Sequence, residues 1–389
     1  MAAGAGDTYW EKRALPSVFK HELLRKYVPQ FAGMTGTSSD GRRIVFLDGY
    51  AGRGRYEDGR PASGELIMRM AQDQYESVSL AWSCWFVEKD NASATALSSV
   101  VAEYAARGVT ARAHHGDVLD VWDQVAADAP GCPLFLFLDP CGLGVPFDHL
   151  VGLLNGERRQ KWPPTEFLLN FSLDAVRRIG GLLSSERSNP VTLARMDAAV
   201  GGPWWRDHFA DGFSDGAVQA VVDGFTMRIS QATGMFLTST PVRRAPKHKP
   251  IYHLVFGTRG QPGLWAFGDS AARSAKAWWD TLEEVDAEQD PSALFTVTAT
   301  VRPQLESVEA EAVPHIASNL ASLLVEQPRG FKVVDHTLAV FGDYYGQVRE
   351  RAVKLAVKDL YGRGGTASTG VGPKPRDLIV LPPGAATAS

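Results

Sequence analysis

The chain has little cysteine. Its three, Cys84, Cys132 and Cys141, are an odd and scattered set in 389 residues. No two have the short spacing of a metal-ligand pair, so neither a zinc knuckle nor a disulfide framework is expected, and no metal is assigned. A reducing, cytoplasmic setting fits. A surplus of one charge is also lacking. The formal net charge is −4 and the pI about 6.2. Bulk charge therefore gives no support for nucleic-acid binding and leaves only a local basic patch to carry it. No apolar run approaches the ~18 residues of a membrane span. Met1 to Asp7 lack the apolar core of a signal peptide, and residues 1–8 read as a disordered tail.

What is present is ordinary for a globular chain: 44% hydrophobic and 22% charged residues. The length implies two or three structural units. Ser17–Phe31 predicts a helix, with Phe19, Leu23, Leu24, Tyr27 and Phe31 on one face. Five short apolar runs follow: Arg43–Asp48, Trp82–Glu88, Val109–His115, Pro133–Asp139 and Glu166–Ser172. Each is expected to be covered on both faces, as in a parallel sheet. Between them lie helical segments at Ser63–Tyr75, Asn91–Ala106, Val118–Ala127 and Pro146–Leu154. Residues 173–232 read as mostly helical. Met235–Thr240 and Ile251–Thr258 then predict an antiparallel strand pair around the basic loop Pro241–Pro250.

The expectation is an α/β fold, a doubly wound Rossmann-like sheet of the class I methyltransferase kind with an antiparallel last strand. Past residue 290, Pro303–Glu326, Thr337–Phe341 and Gln347–Tyr361 predict helices, with a turn at Gly342–Gly346. A Gly/Ser/Thr/Pro loop, Gly362–Lys374, leads to a strand at Asp377–Leu381. That is the order of a winged helix-turn-helix. The expected divisions are 1–42, an N-terminal helical segment; 43–288, the sheet domain with a helical insertion at 173–232; and 289–389, a winged-helix-like domain.

The strongest site signal is Asp48-Gly49-Tyr50-Ala51-Gly52-Arg53-Gly54, where the first strand ends. Ligands of α/β folds bind at that edge of the sheet. Gly52 and Gly54 permit a tight turn and close approach of backbone to ligand. A dinucleotide fingerprint would place a third glycine at residue 57, which is Glu57. The alternative is a plain strand–turn–helix. Glu88, ending the second strand, is placed to accept from two ribose hydroxyls; the alternative is a solvent-facing strand end. Asp117, after the third strand, is placed to face an adenine amine or to cap the next helix. Asp48, Tyr50, Ala51, Gly52, Gly54, Glu88, Asp117 and Asp139 make up the expected cofactor set, for S-adenosylmethionine. His114 and His115 have no ligand partners nearby and read as structural.

Asp139-Pro140-Cys141-Gly142 ends the fourth strand. The Asp139 carboxylate and Pro140 carbonyl are two acceptors that would hold an amine against a sulfonium methyl, a displacement that needs alignment more than a strong base. Cys141 has a second reading, as the nucleophile of a pyrimidine C5 methylation, against that of a small buried cysteine. Asn170, in Asn170-Phe171-Ser172, is placed to line the acceptor pocket. Asp139, Pro140, Cys141 and Asn170 form the expected catalytic group. Arg177 and Arg178 follow, and Arg243, Arg244, Lys247, His248 and Lys249 make a loop that would grip phosphates or stand in solvent. Trp204-Trp205 and Trp278-Trp279 fit core packing better than base stacking.

Several blocks together resemble the three-Cys-motif partner family. They are Ile44 to Gly59, Ala62-Ser63-Gly64-Glu65-Leu66, Phe137 to Leu143, Leu169 to Ser172, Tyr252 to Gly257, and Lys20-His21. The resemblance covers most of the chain and implies a class I methyltransferase-like fold. It also implies a three-cysteine partner similar to radical-adenosylmethionine proteins. Lys20, Arg177, Arg243, Arg244 and Lys247 are the expected substrate contacts. The sequence departs from the family's Gly-Ser-Pro after the first loop, having Ala62-Ser63-Gly64. Three functions stay open: methyl transfer to a nucleic-acid base or nucleotide (RNA or DNA); methyl transfer to a peptide, protein or small molecule; and a non-catalytic cofactor-binding scaffold for the partner.

Overall fold

The structure is a computed structural model, and it describes residues 15–183, 189–244, 247–289, 304–372 and 374–385. The expected disordered tail over 1–8 lies outside these. The chain divides into two compact units. One holds Val28–Arg259, the other Val18–Tyr27 with Gly260–Ser389. Helix α1 (Leu15–Thr35) contributes to both, and the face anticipated from its periodicity is buried throughout. No helix among the described residues is long and apolar enough to cross a membrane.

The first unit is built on a seven-stranded sheet. Its strands are β1 (Arg43–Asp48), β2 (Ala81–Glu88), β3 (Thr110–His115), β4 (Leu134–Leu138), β5 (Thr165–Ser172), β6 (Phe236–Val242) and β7 (Tyr252–Thr258). Their order is β3-β2-β1-β4-β5-β7-β6. The first five run parallel, and β7 is antiparallel to both β5 and β6. This order with a reversed last strand is the expected Rossmann-like, class I methyltransferase sheet. Helices α2 (Ser63–Val78), α3 (Asn91–Ala105), α4 (Trp122–Asp128) and α5 (Phe147–Asn155) connect the parallel strands. β4 is wholly buried because it sits mid-sheet with helices on both faces.

β3 departs from expectation. It pairs only with β2, none of its residues is fully buried, and Thr110, Arg112 and His115 face solvent. An edge strand needs apolar residues on fewer of its positions than a central one, and the Ala and His residues of β3 reflect that.

Residues 173–232 are mostly helical, as expected: α6 (Leu173–Gly180), α7 (Pro190–Val200), a 3₁₀ segment at Pro203–Phe209, and α8 (Asp215–Thr233). Ser172, Asn189 and Ser214 cap the three α-helices by accepting from backbone N–H groups of the first turn. Their apolar faces cover the sheet, with Trp205, Val222 and Phe225 buried against the face bearing Phe167, Leu169 and Phe171. Phe171 and Phe225 meet with ring centroids 4.7 Å apart.

The second unit contains α9 (Gln261–Gln289), α10 (Leu305–Glu326), β8 (Phe331–Lys332), α11 (Thr337–Phe341), α12 (Arg351–Gly362) and β9 (Ile379–Val380). β8 and β9 pair antiparallel. Ile316, Leu320, Phe341, Val353 and Val357 form its core. Trp265 joins them, stacking edge-on against Phe341 at 5.1 Å and donating from Nε1 to Glu350 over 2.7 Å. The start of α9 therefore belongs to this core, whereas the sequence places residues up to 288 with the sheet. Trp205 is fully buried and Trp278 is 9% exposed, so one member of each tryptophan pair is a packing residue, while Trp204 and Trp279 are half-buried.

Candidate functional site at the carboxyl edge of the sheet

The turn after β1 is held from below by Asp48. Its carboxylate is fully buried; Oδ1 accepts from Tyr50 N at 3.1 Å and Oδ2 from Ser63 Oγ at 2.7 Å. Asp48 therefore shapes the turn and joins it to the start of α2. Asp48, an expected member of the cofactor set, has no exposed surface in this structure and holds the glycine turn from beneath. Gly52 and Gly54 have φ of +60° and +75°, a region that costs other residues about 1–2 kcal/mol. A Cβ on Gly54 would also lie 3.0 Å from Leu97 Cδ1. These two glycines bring the turn close over the sheet edge, and Ala51 beside them is buried.

Glu88 ties the end of β2 to that turn. Oε2 accepts from Gly52 N at 2.9 Å and Oε1 from Asp90 N at 2.7 Å. Each carboxylate oxygen has two acceptor positions, so one on each is left for a ligand hydroxyl. Asp117 does what its alternative reading requires. It caps the 3₁₀ turn Val118–Val121, with Oδ1 on Leu119 N, while Oδ2 takes Lys89 Nζ at 3.1 Å. Tyr50 faces it. Burial, and then the negative charge of Asp117, push the Tyr50 phenol well above its ordinary value, so it is neutral and a hydrogen-bond donor at pH 7.

After β4, Asp139 meets Asn170 of β5. Asn170 Nδ2 donates to Asp139 Oδ1 at 2.7 Å. The carboxylate is acceptor-only, which fixes the amide orientation. Asn170 Oδ1 is then buried without a hydrogen-bond partner. A buried acceptor left unpaired costs about 1–3 kcal/mol, so it calls for a donor from outside. Beside it lies a cleft lined by Gly142, Val145, Asn170, Ser172, Val176 and Phe225. Its walls are mostly apolar, with Asn170 and Ser172 the polar side chains among them. Pro140 is buried at the same edge. Cys141 is exposed, unlike the small buried cysteine of its alternative reading, and it does not line the cleft.

The basic residues divide. Arg177, in the first turns of α6, pairs with Asp174 at 3.1 Å and lines a second cleft with Leu173, Asp215, Gln219 and Lys249. Lys249 pairs with Asp215 at 2.6 Å. Arg243 is half-buried, and Arg244 and Lys247 are exposed. Lys20 is buried, at 5% exposure, in the α1 segment belonging to the second unit. The sequence gives no role to Ser63, Asp215, Gln219 or His253. Ser63 alone has a legible signal, a hydroxyl residue opening the helix after the glycine turn.

No family model matches the chain, and no curated protein matches it. Solved structures similar to it include geranyl diphosphate methyltransferase in complex with GPP and sinefungin, at 11% identity and a TM-score of 0.23 over 59% of this chain and 76% of that one. The fold assignment rests on the strand order, the reversed β7 and the turn geometry.

Proposed function

We propose that the chain is an S-adenosylmethionine-dependent methyltransferase acting on a nucleic-acid base or nucleotide. The observation that carries this reading is the convergence on one sheet edge of the glycine turn, Glu88 with two acceptor positions left, and the Asp139–Asn170 pair. Adenosylmethionine held along β1–β3 would supply a methyl group on a sulfonium and leave as the neutral thioether adenosylhomocysteine, the methylated amine giving up one N–H proton to solvent. Glu88 accepts from its ribose hydroxyls, Tyr50 donates towards it, and the backbone at Gly52–Gly54 gives it room. Asp139 and Asn170 Oδ1 accept from the N–H groups of an exocyclic amine and hold its lone pair in line with the methyl. The apolar walls around them exclude water. A base from a duplex would enter flipped out of its stack.

The resemblance to three-Cys-motif partner proteins adds a proposed three-cysteine protein as partner. From α10 onward the helix, strand, helix, helix, strand order of the second unit supports a proposed winged-helix role in binding nucleic acid or protein. The apolar cleft also favours a second reading, transfer to a peptide or small molecule. Incubation with methyl-labelled adenosylmethionine and RNA, DNA or nucleotides tests the proposal: label on a base amine supports it. Label on peptide or small molecule alone selects the second reading, and adenosylmethionine binding without turnover on any acceptor points to a scaffold.

A further inference from the structure

Two clefts flank the first turn of α6. Ser172 and Val176 line one, beside Asp139 and Asn170; Leu173 and Arg177 line the other. The second cleft has a different character. Arg177 comes from α6, Asp215 and Gln219 from the first turns of α8, and Lys249 and Pro250 from the segment before β7. Two cations, a neutral amide and one carboxylate line it, and Arg177 is also paired with Asp174, itself 59% exposed, at 3.1 Å. Lys249 and Asp215 are 69% and 54% exposed, and an ion pair so exposed adds little stability. An anion with several oxygens would therefore meet little resistance from Asp215 at Lys249, or from Asp174 at Arg177.

The surroundings reinforce the positive field. The loop from Arg243 to Lys249 contains four Arg or Lys residues and no acid. Among the described residues, none of Arg243, Arg244 and Lys247 is held by an ion pair. His253, 4% exposed and adjoining this region on β7, is pushed down to about 4 by burial first, with Arg243 and Arg177 adding to it and Asp223 opposing. It adds no charge at neutral pH, so the excess positive charge of this region comes from Arg243, Arg244 and Lys247, while Arg177 and Lys249 are each matched by one carboxylate.

We infer that the cleft of Arg177, Gln219 and Lys249 is an anion subsite that takes a phosphate group of the substrate, while the acceptor amine sits across α6 against Asp139 and Asn170. This rests on the methyltransferase reading for the identity of the amine, but the anion site itself does not. It narrows the substrate to a phosphorylated one, a nucleotide or a nucleic-acid strand. Arg177 supplies a planar fork and Lys249 a point charge, the usual division of labour on phosphate oxygens. Asp215 is the competitor for Lys249, so removing its charge should strengthen the site.

The test is a titration of the full chain with inorganic phosphate at constant ionic strength, chloride as control, read by NMR of labelled arginine side chains and backbone amides. The expected result is saturable perturbation of Arg177 and the α8 first turn. Arg177→Gln with Lys249→Gln should weaken it by about tenfold or more, and Asp215→Asn should tighten it severalfold. Phosphate that leaves the cleft unperturbed overturns the inference, as does a double variant binding like wild type. Should the double variant fail to fold, Asp215→Asn decides alone: unchanged affinity overturns. Adenosylmethionine is titrated into the same samples. Phosphate binding without cofactor binding keeps the anion site and removes the methyltransferase reading, and the reverse removes the anion site alone.

Discussion

Replacing Ser63 by Ala removes the hydroxyl that donates to the buried Asp48 carboxylate over 2.7 Å. A hydrogen bond to a charged group contributes about 1.5–3 kcal/mol, so the variant should lose about 2 kcal/mol. Asp48→Ala strips both acceptors and leaves the Tyr50 N–H and the Ser63 hydroxyl without them, at about 1–3 kcal/mol each, or about 4 kcal/mol together. The double variant should lose only about 2 kcal/mol, less than Asp48→Ala, since the hydroxyl that would have been stranded is gone and only the Tyr50 N–H is left without its acceptor. The two single losses together should therefore exceed the double loss by about 4 kcal/mol. Urea unfolding measures this, with hydrogen exchange of the β1 and β4 amides assigning the transition to the first unit, since two compact units need not unfold together. Ser63→Ala should also weaken any ligand held by the glycine turn, because the turn is tied to α2 through this bond. Additive losses, with no coupling, would refute the account of Asp48 as the clamp under the turn.

Four further outcomes are expected. Gly54→Ala should cost about 1–2 kcal/mol from its positive φ alone, more from the approach to Leu97, and lower cofactor affinity in calorimetry. Burial alone would raise the buried Glu65 carboxyl, but hydrogen bonds and charge from Arg55 and Arg69 outweigh it and hold it below its ordinary value. Its stabilisation is present above the unfolded value of about 4.3 and is lost as pH falls through the lower folded value; Glu65→Gln should flatten that part of a urea-midpoint curve. His253 is depressed to about 4 from an unfolded value near 6.5, so stability should fall as pH drops between them, by up to about 3 kcal/mol. NMR titration of its ring should show it neutral at pH 6, and His253→Asn should remove that slope. Asn170→Asp sets a second carboxylate against Asp139, so one proton is shared and the labelled-methyl transfer rate should fall steeply and gain a new pH dependence.

Much of this site follows from local pattern. Arg43–Asp48 is a bounded apolar run ending in a glycine turn, and it forms β1 over those residues. Glu88, Asp117, Asp139 and Asn170 are legible for a related reason: each stands within two residues of the end of its own strand, and a doubly wound fold aligns such ends. The reversed β7 is signalled by a short loop too brief for a helical crossover. Other features depend on partners far along the chain. Ser63 becomes a clamp only when α2 folds back onto β1, and the cleft of Arg177, Gln219 and Lys249 joins three separate segments. The helix at Gln261–Gln289 has no strong apolar stripe at its start, where Gly263 and Gly268 interrupt the pattern, and its packing on Phe341 is a tertiary event. β8, at two residues, is too short for any periodicity.

Calorimetric titration with S-adenosylmethionine, S-adenosylhomocysteine and NAD, on the intact chain and on Glu88→Gln, tests the central claim most directly. The substituted amide would keep one acceptor oxygen and set its amine against a backbone N–H, so the variant loses a turn contact and ribose acceptor positions together. The account predicts saturable binding of both adenosyl ligands, none of NAD, and a loss of about tenfold or more in the variant. Absence of adenosylmethionine binding, or equal binding of NAD, would contradict it.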